Sequence, residues 1–522
     1  MGNDPNRRVF LAGAAAVAAA AVPLVSTSRA QTTTAGEADL AYRSASELAA
    51  LLAQKKVSSV ELLEQSIKRI ETFDPRINVV VVRDFDRAHD AAKAADKALG
   101  RGERQPLLGI PMTVKEQYNV AGLPTTWGLS AFKDWRPTED SVAVARLKAA
   151  GAVILGKTNV PAALGEWQSF NDIYGTTNNP WDLTRTSGGS TGGAAGLAAG
   201  YVSLEMGSDL GGSIRVPAHF CGVCGHKPSR SLVPWGGAQF PKAELPSFLD
   251  LAVLGPLART PGDLRLVLDV VAGPDESEAM AYRLALPPAR HDDLKGFRVL
   301  VIDTHPLVPT SSTVRASLDR FSDQLTKAGV KVAHGSPSIP DLAEQARVYS
   351  QLVLSVVSPT WPPDLYSTVT KAASSLSQND DSLQASRFRG AVTSHRDWFK
   401  TDGQRVGLQR QWRELFREWD IVLCPPASVP AFPHDHNPDM EARRINVDGK
   451  PFPYLDLLLA WSGVASLPDL PATVVPVQRS ETGLPIGVQI VGPHLEDRTT
   501  IAFAQLVERE FGGFVPPPGY GG

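Results

Sequence analysis

TSGGSTGGAAGLAAG, residues Thr186 to Gly200, sets two glycine pairs around Ser190-Thr191 and runs straight into an alanine-rich segment. Three readings fit those letters: a phosphate cradle, the nucleophile turn of a Ser-His-Asp hydrolase, or something that needs neither nucleotide nor histidine. Context decides between them. Gly188-Gly-Ser190-Thr-Gly192 satisfies G-x-S-x-G, but a nucleophile elbow must be fed by a strand, and the preceding NNPWDLTRTSG is polar and turn-rich. No downstream His or Asp stands in a context that supports a triad. Upstream, Gly151-AVIL-Gly156-Lys157-Thr158 matches the phosphate-loop pattern by letter. Its four variable residues are apolar and belong in a strand, whereas a phosphate cradle needs a loop of free N–H groups. The third reading remains.

The chain around this stretch is ordinary in bulk. It has 522 residues, 43% apolar and 20% charged, with a formal net charge of −3. That balance supports a large core and gives no basic footprint for nucleic acid. The three cysteines, Cys221, Cys224 and Cys424, are too few for a disulfide scaffold. Cys221-Gly-Val-Cys224-Gly-His226 lacks the directly adjacent His of a haem motif, and only His219 is near enough to suggest a further zinc ligand. Two small buried residues in a packed turn are the expected reading, and His434 and His436 are expected to be loop polar groups. No metal and no organic cofactor are expected.

The N-terminus differs in kind. MGNDPNRRVFLAGAAAVAAAAVPLVSTSRAQT carries Arg7-Arg8, a modest apolar run and a small-x-small end. These cues predict a twin-arginine export signal over residues 1–30, cleaved after Ala30, and a periplasmic or secreted mature protein. Val9 to Val25 is short for a membrane span and contains Pro23, so no stable membrane association is expected after cleavage.

From residue 38 to about 515 the pattern is that of one large α/β domain. Ser44-x-x-Glu47 and Ser58-x-x-Glu61 are capping boxes that start two helices, and Asp74-Pro75 is expected to stop the second. Ile77–Val82, GIPMTVK ending at Lys115, AVILG, FRVLVID, ATVVPV and IGVQIVG read as strands, with helices between them. Residues 340–420 read as a mostly helical, Ser-rich elaboration on the substrate side.

Three segments then join: GIPMTVKEQYNVAGLPTTWG, RTSGGSTGGAAG, and GSDLGGSIRVPAHFCGVCGHKPS (207–229), with GKTNVPAALGEW between the first two. In that order, and with the closing LPATVVPV and GLPIGVQIVGPHLED, they resemble the amidase signature family over nearly the whole chain past residue 40. The resemblance implies a mixed central β-sheet surrounded by helices. It also implies hydrolysis of a small-molecule carboxylic amide to acid plus ammonia or amine through an acyl-enzyme. The nucleophile maps to Ser213, the base to Lys115, and a relay serine behind a cis peptide to Ser190. The oxyanion donors map to the N–H groups of Leu210, Gly211 and Gly212. Asp209 and Arg215 are expected either to orient the nucleophile's loop or simply to pair for packing.

A Lys serves as base only when neutral, which calls for burial or nearby positive charge. The apolar approach to Lys115 supplies the first. Thr191 stands where many relatives carry a second Ser, and the Ser190–Ser213 stretch is one residue shorter than in many bacterial relatives. A homodimer is a compatible assembly. Two other functions are compatible with the same residues: an exported esterase using the same triad, and a catalytically silent binding protein on the same fold.

Overall fold

A computed structural model describes residues 40–243 and 249–521 of the chain. The expected export segment, 1–30, lies outside the described residues. The rest is built on one mixed sheet of eleven strands. In spatial order these are Val80–Arg83, Val153–Thr158, Pro111–Lys115, Leu204–Asp209, Val253–Ala258, Cys224–Lys227, Ala472–Arg479, Pro485–Val491, Ile421–Cys424, Arg298–Val301 and Lys331–His334. Pro111–Lys115 runs parallel to both neighbours. Arg298–Val301 is parallel to Ile421–Cys424 and to Lys331–His334, with helix Ser312–Lys327 connecting it to the latter as a βαβ unit. Central strands are buried along their whole length, five of five residues in Pro111–Lys115 and six of six in Leu204–Asp209. Their side chains are thus buried on both faces rather than on alternate positions, and the polar ones among them must find partners inside the fold.

Both capping boxes form, each Ser side chain accepting from the N3 amide and each Glu reaching back to the cap. Pro75, however, does not stop its helix, which runs from Ser59 to Ile77. The stop comes at Asn78, in the left-handed region at φ 60°. The Asp74 carboxylate then accepts from the Val79 and Val80 amides at 2.7 and 3.1 Å. The strand expected from Ile77 therefore begins only at Val80.

Beyond the sheet, Leu342–Val357 packs against Leu383–Ala391, His395–Glu418 and Tyr454–Ser466. This helical layer encloses its own apolar cluster around Trp412, Trp461 and Tyr454. The packing also reaches past residue 515: the Tyr520 carbonyl accepts from Tyr42 Oη at 2.6 Å and from Arg69 at 2.7 Å.

Candidate active site

Lys115 ends its strand in the interior, with no exposed surface. Its Nζ donates to Ser190 Oγ at 2.7 Å and to Ser208 Oγ at 2.9 Å. Ser208 in turn donates to Gln117 Oε1. Among the described residues no carboxylate lies within ion-pair reach of this amine. Burial lowers its pKa to about 7, against the more distant negative charges of Asp209 and Glu205. The amine is thus held by hydroxyls in a dry setting, where neutral and charged forms are close in free energy at neutral pH.

Glu205, one strand over, is also fully buried. It accepts from Thr113 and, at 2.6 Å, from Thr158. Burial pushes its carboxyl up to about 7, against those two hydrogen bonds and the Lys115 charge.

The glycine-rich stretch of the opening brings Ser190 to this amine. A short strand, Asp182–Thr186, does precede it, contrary to the turn-rich reading, but it pairs with Asn178–Asn179 in a ribbon outside the central sheet. The Gly189–Ser190 bond is cis. A side chain at Gly189 would meet the Glu166 carbonyl at 2.5 Å, so the backbones could not approach this closely with any other residue. Ser169 Oγ donates to the Gly188 carbonyl at 2.9 Å, and the Gly188 amide donates to Thr186 Oγ1 at 3.0 Å. The alanine-rich segment is the short, wholly buried helix Gly193–Ala198. Thr191 is buried as well, and its hydroxyl finds no partner among the described residues.

Ser213 lies on the turn that leaves the Leu204–Asp209 strand, 7% exposed, its hydroxyl free of hydrogen bonds among the described residues. It is not hydrogen-bonded to Ser190. Asp209 organises the turn by accepting from the amides of Gly212, Ile214 and Arg215 at 3.0, 3.1 and 3.3 Å. Arg215 clamps the same carboxylate through Nε at 3.0 Å and Nη2 at 2.8 Å. Burial alone would raise the Asp209 pKa, but the Arg215 charge and hydrogen bonds outweigh it and hold the carboxyl at about 2. The two side chains are ion-paired, and the same carboxylate holds the amides of the loop.

Gly212 has φ 95°, and a Cβ there would fall 2.5 Å from Ser462 Oγ, so only glycine fits. One expected oxyanion donor needs correction. The Gly212 N–H is committed to Asp209, which leaves the Leu210 and Gly211 amides, with that of Ser213, unengaged by acceptors among the described residues.

The remaining motif matches resolve as packing. Gly156-Lys157-Thr158 continues the Val153–Thr158 strand, and Lys157 Nζ donates to Thr125 Oγ1 at 2.7 Å and to the Pro124 carbonyl. Cys221 and Cys224 are free, buried thiols that donate to the Ser187 and Arg259 carbonyls, and burial pushes both pKa values up. His219 accepts from the Gly487 amide at 2.8 Å, and His434 bonds Asn178. No cluster of metal-ligating side chains forms among the described residues, and none of their helices is long and apolar enough to cross a membrane.

Sequence reasoning passed over Ser208, Gln117 and Glu205. Ser208 directly precedes Asp209 in the GSDLGGS run, Gln117 is two residues past Lys115, and Glu205 is an acid inside the apolar run LEMG. Ser208 and Gln117 were visible as polar residues close to a site residue, and Glu205 as a lone acid in an apolar run.

Comparison with known proteins identifies the family. The family model described as Amidase matches residues 61–501. The zebrafish (Danio rerio) fatty-acid amide hydrolase 2-A is 31% identical over 503 residues, covering 91% of this chain and 90% of that one. A glutamyl-tRNA(Gln) amidotransferase component of Desulfatibacillum aliphaticivorans is 30% identical over 472 residues, covering 85% of this chain and 92% of that one. Among solved structures, a bacterial aryl acylamidase of the amidase signature family superposes with TM-score 0.76 at 24% identity, covering 90% of this chain and 96% of that one, which speaks to the fold. The chain belongs to the amidase family and is an amide-hydrolysing enzyme.

Proposed function

We propose that the enzyme cleaves small carboxylic amides through an acyl-enzyme on Ser213, with Lys115 as base and Ser190 as proton relay. The observation that carries this reading is the buried, hydroxyl-bound Lys115 amine, 2.7 Å from Ser190 Oγ. Neutral Lys115 takes the Ser190 proton as Ser190 takes that of Ser213, and Ser213 Oγ attacks the carbonyl carbon. The proton returns along the same path to the departing amine, and water then repeats the cycle to release the acid. Leu210 and Gly211 amides stabilise the oxyanion, with Asp209 and Arg215 fixing the turn that presents them. No metal or organic cofactor enters any step.

The relatives' names span fatty-acid amides, aryl acyl amides and glutamyl-tRNA at similar likeness, so the acyl and amine groups are to be found by assay. Ammonia or amine release across aliphatic, aryl and peptide amides is to be compared for wild type and Ser213→Ala. Turnover that survives the substitution refutes the reading. We further propose export by the twin-arginine route, supported by Arg7-Arg8 and Ser28-Arg29-Ala30. Its check is the N-terminal sequence of the exported protein, predicted to start at Gln31.

A further inference from the structure

We propose that Tyr349 is a positioning residue for the reaction: by holding the Leu210 carbonyl, its hydroxyl aims the Gly211 N–H at the developing oxyanion. The proposal deepens the Ser213 reading and rests on it. It assigns a chemical task to the helical layer spanning residues 340–420, in which the sequence offered few chemical signals.

In a trans peptide the carbonyl of one residue and the N–H of the next point in opposite directions within one plane. The only cis bond among the described residues is Gly189–Ser190, so fixing a carbonyl in the Leu210–Ser213 turn also aims the following amide. The Gly211 carbonyl accepts from Trp167 Nε1 at 2.8 Å and from Ser462 Oγ at 3.0 Å. Its partner amide, Gly212 N–H, accordingly points the other way and meets Asp209 Oδ1 at 3.0 Å. The Leu210 carbonyl is held by Tyr349 Oη. Its partner amide is Gly211 N–H, one of those in the turn left without an acceptor. With Gly211 on one side, this plane resists a flip less than one set between two residues with side chains, and Tyr349 supplies an outside anchor.

Tyr349 is itself fixed. Its ring is fully buried on helix Leu342–Val357. A Cβ at Gly463 would come within 2.7 Å of Tyr349 Cδ1, so the ring lies flush against the Tyr454–Ser466 helix. One turn earlier, Gln345 donates to the Gly463 and Val464 carbonyls at 2.8 and 3.1 Å and accepts from Trp412 Nε1 at 2.8 Å. One of the two helices that lock the ring, Tyr454–Ser466, also supplies Ser462, which holds the Gly211 carbonyl together with Trp167.

Tyr349→Phe keeps the ring and removes the anchor. Losing an oxyanion donor outright costs about 100- to 1,000-fold in kcat, and a donor released from its aim loses part of that, so about 10- to 100-fold is expected. KM should stay within about threefold, because the substrate's ground state does not depend on the donor. Affinity for an aldehyde or boronic-acid inhibitor that adds to the serine should fall in step with kcat/KM, while the melting temperature changes by no more than a few degrees. Gly463→Ala, which displaces the ring but keeps the hydroxyl, should give the same kcat loss with KM held, and serves if the Phe variant does not fold. An unchanged kcat in Tyr349→Phe, or a kcat loss matched by a rise in KM and a fall in melting temperature alike, overturns the proposal. Ser213→Ala is assayed alongside. Turnover retained there defeats the nucleophile reading itself, a result distinct from any Tyr349 outcome.

Discussion

Replacing Lys115 by Met should change the pH dependence of stability in a calculable way. The side chain is fully buried, and burial lowers its pKa from the ordinary 10.5 to about 7. Between those values the unfolded chain binds the proton and the folded chain does not, so stability from this group rises with pH. Below pH 7 the full penalty of burying the amine is present, and above 10.5 none of it is. Integrating from pH 7 to pH 9 gives about 2 kcal/mol gained by the wild type and not by the Met variant.

For a domain of this size, with an unfolding entropy of about 2 cal/mol/K per residue, that corresponds to roughly 2 °C in melting temperature. Lys157 and Lys227 are also buried, with pKa values lowered to about 8. They add the same slope to both proteins and cancel in the difference. Calorimetry at pH 7, 8 and 9 on the two proteins provides the comparison. The wild-type minus Lys115→Met difference should climb by at least about 2 °C across that range, because without the Lys115 charge the Glu205 carboxyl is pushed up further and the variant loses stability as pH rises. Parallel profiles would show that Lys115 is charged in the fold, and the assignment of a neutral base would fall with them.

Other consequences concern rate and packing. Because the base must be unprotonated, kcat/KM should fall about tenfold per pH unit below pH 7 and level off above it, read from amide hydrolysis between pH 5 and 9; an acid limb near pH 4 would contradict this. Ser190→Ala and Lys115→Ala should each lower kcat by about 100- to 10,000-fold, with the double variant little worse than either single one, since both act in one proton path. Asp209→Asn leaves the fully buried Arg215 without its counter-charge and should cost about 3–5 kcal/mol of stability, read by denaturant unfolding. Gly212→Ala must meet both a φ of 95° and a clash with Ser462, so soluble yield and turnover should both drop.

Lys115, Ser190, Asp209, Ser213 and Arg215 lie in the short segments that carry the family resemblance, so the sequence could point to them as candidates. The capping boxes at Ser44 and Ser58 were equally local. What stayed hidden depends on distance along the chain. Trp167, Tyr349 and Ser462 hold the turn at residues 210–211 from 44, 139 and 251 positions away, and no local pattern marks them. Gly212 shows the converse. Its letter fits an oxyanion donor, but the direction of its N–H is decided by Asp209, which only the fold brings to the right side. Pro75 failed as a helix stop because Asp74 and Asn78 complete the turn just beyond it.

The most direct test is covalent. Mixing the enzyme with an activated aryl ester, quenching in acid and weighing the intact protein should give a mass gain of one acyl group, with the label on the peptide that contains Ser213. This adduct should disappear in Ser213→Ala and build up more slowly in Lys115→Ala. Acylation at any other residue, or undiminished turnover without the Ser213 hydroxyl, would contradict it.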